Sequence, residues 1–337
     1  MKKIILVNLI FLIFINVSAQ NLRENLNSIV NKYTTDSLLN GTIIIAKGSK
    51  ILFQGSFGLK NIETKEKITP STLFPIASLT KQFTSTAILL LNENNKLSIN
   101  DKISDYIEVP ESMKNIQIKN LMNHTSGIPD YWQFDISNQK DSIYMFLNLQ
   151  DSLEFITNTK QQYCNSGYFL LGEIIESVSG KSYADFLRDN IFIPLGMENT
   201  FINGMPEYSR AIGYDEKWNK NDYLLTTADG GLISTVENLY LWDKALFENK
   251  TLSIEGKELM FKPLTLNSGE TINYGFGWDI NENNKNIVSH TGWLASFGAY
   301  NQIDNKNGYF IILLSNQIRP ELMDLINDIN GELYKTE

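Results

Sequence analysis

The apolar positions of the chain fall into three regimes. Residues 21–39 set Leu22, Leu26, Ile29 and Val30 at helical spacing, which predicts a first helix. Gly41–Ala46 and Ile51–Phe57 are β-rich runs joined by Lys47-Gly48-Ser49-Lys50, the pattern of a hairpin. The middle of the chain then turns helical. Leu79–Asn92 carries Ala87-Ile88-Leu89-Leu90-Leu91, apolar all round, as a helix buried on every side would be. Further helices are predicted at Asn115–Met122, Asp141–Asn148, Ser166–Val178, Tyr183–Asn190 and Val236–Phe247. Strand signals return at Tyr274–Ile280, Ile287–His290, Phe297–Ile303 and Tyr309–Leu314, spaced by turn residues such as Asn284 and Asn307-Gly308. A last helix is predicted at Glu321–Tyr334.

Strands at both ends around a helical middle predict an α/β fold of the α+β kind. One antiparallel sheet is built from both chain ends and flanked by helices, with a mainly helical subdomain inserted. The sheet part would span about 25–75 and 225–337, and the helical part about 76–224. No repeat or Pro/Gly/Ser linker divides residues 20–337 into independent domains. A cleft between the two parts is the natural place for a site.

The extreme N-terminus reads differently. Lys2 and Lys3 precede an apolar stretch, Ile4–Val17, and Val17-Ser18-Ala19 offers a small-residue cleavage site before Gln20. Residues 1–19 are therefore expected to be a signal peptide, and the mature chain to be periplasmic or secreted, with no stable membrane span. Asn8 and Asn16 interrupt a stretch already short of the roughly 20 residues a spanning helix needs, although an uncleaved anchor is the alternative. Losing Lys2 and Lys3 would make the mature chain two charges more negative than the formal −9, which argues against nucleic acid or an anionic membrane as partner. Cys164 is the only cysteine, so no internal disulfide can form. Oligomeric state has no signature in the chain.

Three short motifs carry candidate chemistry. Ser78-Leu79-Thr80-Lys81 opens the all-apolar helix, where residues three apart face the same side, so Ser78 Oγ and Lys81 Nζ can meet. A serine needs a base to become a nucleophile, and a lysine whose pKa is lowered by burial can be one. Ser-x-x-Lys is also common by chance; Ser137–Lys140 repeats it in a polar stretch with no buried helix behind it. In Tyr163-Cys164-Asn165, an extended backbone would send Tyr163 and Asn165 into one cleft and Cys164 into the core. A phenol near a serine can shuttle a proton, and an Asn can hold a substrate amide. His290-Thr291-Gly292 falls at the end of a predicted strand, where a hydroxyl, a ring nitrogen and an unobstructed strand edge suit an extended substrate. Taken singly, the second and third motifs are no more than ordinary turn residues.

In this order and at these spacings, Ser-x-x-Lys, Tyr-x-Asn and His/Lys-Thr-Gly resemble the signature of serine β-lactamases and penicillin-binding peptidases. The likeness is greatest to the branch holding class C β-lactamases, D-alanyl-D-alanine carboxypeptidases and related esterases, over about residues 25–330. Leu121-Met122-Asn123-His124-Thr125-Ser126-Gly127-Ile128, Pro194-Leu195-Gly196-Met197, Gly230-Gly231-Leu232-Ile233-Ser234-Thr235 and Tyr274-Gly275-Phe276-Gly277-Trp278 look like landmarks of the same family. The resemblance implies a β-lactamase/transpeptidase-like fold, Ser78 as nucleophile, Lys81 as its base and Tyr163 as proton relay. It gives Asn165 the substrate's amide, His290 and Thr291 the far side of the substrate, and the backbone N–H groups of Ser78 and Trp293 the oxyanion hole. Serine, lysine, tyrosine and backbone donors suffice for this chemistry, so no metal or organic cofactor is expected.

Rival hydrolase classes fare worse. There is no Gly-x-Ser-x-Gly elbow, and two histidines with one cysteine leave too little for a metallohydrolase. A Ser-His-Asp triad would have to use His290 or His124, and His124 is expected to be a satisfied structural histidine. A Cys164–His290 thiol enzyme suffers from Cys164 facing away. A binding domain without turnover would keep all three motifs and stays open. So does the substrate, an amide or ester in a small molecule or peptide. His290 stands where β-lactamases of this branch have Lys, which fits a D-amino-acid peptidase or an esterase better. Arg319 is the one arginine placed to take a free carboxylate, or equally a surface residue at a helix start. Trp293, with Tyr131, Trp132 and Phe297, would line an aromatic pocket or else pack in the core.

Overall fold

The structure, a computed structural model, describes residues 20–335 apart from 36–37, 135, 137–138, 203–209 and 226. The N-terminal segment read as a signal peptide and Ser137 of the second Ser-x-x-Lys lie outside the described residues. Both chain ends meet in one antiparallel sheet. Its strands are β1 (Gly41–Lys47), β2 (Lys50–Phe57), β3 (Asp279–Ile280), β4 (Ile287–Leu294), β5 (Phe297–Asp304) and β6 (Tyr309–Ser315), in the spatial order β3-β4-β5-β6-β1-β2.

The period-2 alternation of β1 and β6 splits their side chains between two cores. Ile43, Ile45, Ile311 and Leu313 face a layer made by α1 (residues 20–35) and α5 (Glu321–Leu333), against Leu26, Val30, Leu325 and Ile329. Ile44, Ala46, Phe310 and Ile312 face the larger core, which holds α2 (Thr80–Glu93), α3 (Asn165–Ser179) and α4 (Val236–Phe247). Strands covered on both faces have no need of a polar face, which is why they read as continuous apolar runs. Helix α2 is buried along almost its whole length, with Phe83 stacked on Trp242 of α4 at 4.2 Å. The all-round apolar pattern foretold this. Among the described residues no helix is long and apolar enough to cross a membrane.

Two segments depart from the pattern reading, and both shape the cleft. Tyr274–Ile280 is strand only at its end. Its Phe276 N–H donates to the Met260 carbonyl, and Gly277 takes φ +77° with a Cβ position 2.7 Å from the Lys81 carbonyl oxygen. The segment therefore turns tightly against the start of α2. Conversely, β4 runs on past His290 to Leu294, because Gly292 lets it press against the turn before α2. A Cβ there would lie 2.4 Å from the Ile76 carbonyl oxygen.

One buried pair yields a stability prediction. Asp243 of α4 accepts from Asn301 Nδ2 at 2.7 Å, while Asp243 Oδ2 and Asn301 Oδ1 lack partners among the described residues. Burial holds the Asp243 carboxyl well above its ordinary range, so folding favours its protonated form. That contribution is complete below the unfolded value of about 4 and is lost as pH rises towards the folded one. Asp243→Asn keeps the acceptor for Asn301 Nδ2 and replaces the buried acid with an amide that does not titrate. We expect the variant to be more stable at pH 8 by about 1–3 kcal/mol, with a smaller difference near pH 4. Urea unfolding at both pH values checks this, and equal differences would refute the buried-acid explanation.

Candidate active site

Ser78 sits in a single 3-10 turn, Ala77–Leu79, that leads into α2. Ala77 takes φ +48°, a region that costs any residue with a Cβ, so the backbone just before Ser78 is held in a strained form. The sharp turn leaves Ser78 partly exposed between two buried neighbours. One turn later Lys81 is fully buried, and its Nζ donates to three oxygens: Ser78 Oγ at 3.2 Å, Asn165 Oδ1 at 2.8 Å and the Asp229 carbonyl at 2.7 Å. Burial pulls the ammonium down to about 8, against the opposing charges of Asp229 and Asp130. Roughly a tenth of Lys81 is then uncharged at pH 7.

Asn165 is the first residue of α3, and Cys164 before it is extended at φ −146°, ψ 113°. Cys164 turns into the core, as alternation predicts, and burial pushes its thiol up to about 12. The Asn165 amide is oriented by Asp130, whose carboxylate accepts from the Asn165 backbone N–H and from Nδ2, both at 3.1 Å. Only the oxygen is left to face Lys81. Burial raises the Asp130 carboxyl, and hydrogen bonds from Trp132 and Asn165 work against that rise. Asp229 in turn accepts from the buried Tyr131 hydroxyl at 2.9 Å and from Thr227.

Tyr163 completes the cluster. Its phenol addresses the Ser78 side chain, and its ring lies 4.7 Å from Lys81 Nζ and 4.3 Å from the His124 ring. Burial of the hydroxyl raises it well above its ordinary value, although the residue as a whole is 41% exposed, which moderates that rise.

Ser78, Lys81, Tyr163 and Asn165, separated by up to 87 positions, thus meet at one point. The third motif lines the adjoining strand. Thr291 is half-buried, Gly292 packs on the Ser78 turn and Trp293 is exposed. His290 is buried; its Nδ1 meets the Thr291 carbonyl at 2.6 Å and its Nε2 the Tyr274 hydroxyl at 3.2 Å. Arg319 donates to Gln317 Oε1 at 3.1 Å, just before α5. The aromatic set divides. Tyr131 and Phe297 are core residues, whereas Trp132 and Trp293 are exposed, and Trp132 meets Tyr223 edge-on at 6.3 Å. His124 is a satisfied buried histidine, as expected. Asp130 and Asp229 had no local signature in the chain, since each acts only through residues brought from elsewhere.

The model of the Beta-lactamase family matches residues 26–333. The chain belongs to this family. It is 34% identical over 330 residues to penicillin-binding protein 4* of Bacillus subtilis, covering 88% of this chain and 72% of the relative. Protein flp of Staphylococcus aureus is 29% identical over 321 residues, and there the match covers 88% of this chain but 64% of the relative, less than two thirds of its length. Among solved structures, the penicillin-binding protein of Bacillus halodurans superposes with a TM-score of 0.80 at 27% identity, over 91% of this chain and 98% of that one. The octameric penicillin-binding protein homologue of Pyrococcus abyssi does so with a TM-score of 0.80 at 26% identity, over 92% and 77%. The antiparallel sheet with its flanking helices is therefore the β-lactamase/transpeptidase-like fold.

Proposed function

We propose that the chain is an exported serine hydrolase that forms an acyl-enzyme on Ser78 with amide or ester substrates. The observation that carries this is the buried Lys81 amine against Ser78 Oγ, with two other oxygens around it. An uncharged lysine has two hydrogens and one lone pair. Asn165 Oδ1 and the Asp229 carbonyl can only accept, so they take the two hydrogens and the lone pair is left facing the Ser78 hydroxyl. Lys81 removes the hydroxyl proton as Oγ bonds to the substrate carbonyl carbon. Backbone N–H groups of Ser78 and Trp293 receive the developing oxyanion. Tyr163 passes a proton to the leaving nitrogen or oxygen as that bond breaks, and recovers one from the Lys81 ammonium. A water then repeats the sequence to release the acyl group.

The engagement of both His290 nitrogens favours substrates without a free carboxylate. D-amino-acid amides and small esters then rank above peptides ending in a D-Ala carboxylate. Export rests on the pattern of residues 1–19.

The test is intact mass after incubation with a fluorescent penicillin and with a fluorophosphonate, on the parent and Ser78→Ala. A Ser78-dependent fluorophosphonate adduct is expected. A penicillin adduct as well would point to peptide-like substrates, and its lifetime would separate slow binder from hydrolase. No adduct from either probe on folded protein would overturn the reading.

A further inference from the structure

The proposed chemistry leaves a buried chain of polar groups behind Tyr163 without a role. Its hydrogens can be assigned one by one. The Cys164 backbone N–H donates to His124 Nδ1 at 3.1 Å, so that nitrogen is bare and the ring's hydrogen is on Nε2. At the far end, His290 Nδ1 lies 2.6 Å from the Thr291 carbonyl, which only accepts, so Nδ1 carries the hydrogen and Nε2 is bare. The Tyr274 hydroxyl stands between the two Nε2 atoms, 3.1 Å from His124 and 3.2 Å from His290. With His290 uncharged, it accepts from the first and donates to the second. The Tyr168 hydroxyl also neighbours that of Tyr274, but its hydrogen goes to the Met122 carbonyl at 2.7 Å, so it does not donate to Tyr274.

We propose that Tyr274 is a positioning residue that locks the two histidines in opposite, uncharged tautomers and thereby fixes Tyr163 and the Thr291–Trp293 edge of the cleft. Tyr163 rests on the His124 ring, and the Thr291 carbonyl is held by His290. A charged His124 is barred by geometry, because a hydrogen on Nδ1 would point at the Cys164 N–H. His290 faces Tyr274 and the Tyr163 ring at 6.3 Å, with Lys81 beyond. His124 faces Tyr163, Tyr168 and Tyr274, and the Lys81 charge acts on it too. Asp279 is the acid that acts on Tyr274, whereas Asp130 and Asp229 act on Lys81 and Tyr163. Burial, helped by Lys81, lowers both imidazoles, His290 to about 4. With neither ring nitrogen free, His290 acts on the substrate only through the strand it holds.

The effect on rate rests on the serine-hydrolase reading, but the tautomers do not. The chain has two histidines, so a nitrogen-15 histidine spectrum reports only these rings. The parent is expected to show one Nε2–H and one Nδ1–H imidazole, both uncharged between about pH 5 and 8. Tyr274→Phe removes the donor to His290 Nε2 while keeping the ring. We expect His290 then to titrate at a higher pH and acylation of Ser78 to slow about tenfold, with a new acid limb in its pH profile. His290→Gln keeps an acceptor for Tyr274 near the Nε2 position but loses the Nδ1 donor to the Thr291 carbonyl, so it too should slow acylation about tenfold while leaving the His124 Nε2–H signal in place. Matching tautomers in the parent, a charged ring at pH 7, or parental rate and spectrum in Tyr274→Phe would each overturn the proposal. So would parental acylation by a folded His290→Gln, a readout that still decides if Tyr274→Phe fails to fold. Absence of any Ser78 adduct in the parent would strike the hydrolase reading alone, with the spectrum still deciding the relay.

Discussion

Ser78→Ala should lose four orders of magnitude or more in turnover of an activated ester, with substrate affinity nearly unchanged. The change deletes one oxygen from a partly exposed side chain on a turn held by the Leu79 N–H to Ile76 carbonyl bond, which alanine keeps. The fold therefore survives, and the variant should melt within a few degrees of the parent. What disappears is the oxygen placed against both the Lys81 amine and the Tyr163 phenol. A neighbouring water in its place would still be polarised, but hydrolysis would proceed without a covalent step. Burst kinetics separate the two cases: the parent shows a burst equal to the enzyme concentration if deacylation is slow, and the variant shows none. Parental turnover by Ser78→Ala would end the acyl-enzyme proposal.

Lys81→Ala should cost on the order of a thousandfold or more in kcat/KM, and the shape of its pH profile is as informative as the size of the loss. On the proposed mechanism the base in the parent is the uncharged amine. Because burial lowers Lys81 to about 8, kcat/KM should rise with pH and level off above that value. The sign is fixed, since acidification protonates the base and removes its lone pair from Ser78. In Lys81→Ala the residual rate should lack this limb. The variant also leaves Asn165 Oδ1 and the Asp229 carbonyl without their shared donor, so some loss of stability accompanies it. Lys81→Arg separates the two effects. It restores donors and charge, yet arginine stays protonated, so the activity should remain lost. A steep acid limb that persists in Lys81→Ala would assign the titration to another group.

Period-2 and period-3.6 patterns were enough to locate the strands at both ends, the buried helix α2 and the helices on either side of it. They work because one-sided or two-sided burial leaves its period in the chain. The same local logic brought Ser78 to Lys81, and sent Cys164 inward from its extended backbone. It failed where a third element set the conformation. The segment from Tyr274 reads as strand by composition, but contacts with Met260 and the start of α2 turn it, and the last residues of β4 owe their length to Gly292 packing on the Ile76 carbonyl. Residue types and their spacing determined which groups this protein has for chemistry. Tertiary structure decided their states: that Lys81 is dry enough to lose its proton, that Asp130 turns the Asn165 oxygen inward, and that Tyr274 stands between two histidines 166 positions apart. Desolvation and hydrogen-bond partnership depend on what surrounds an atom in space, and for these groups the surroundings come from distant parts of the chain.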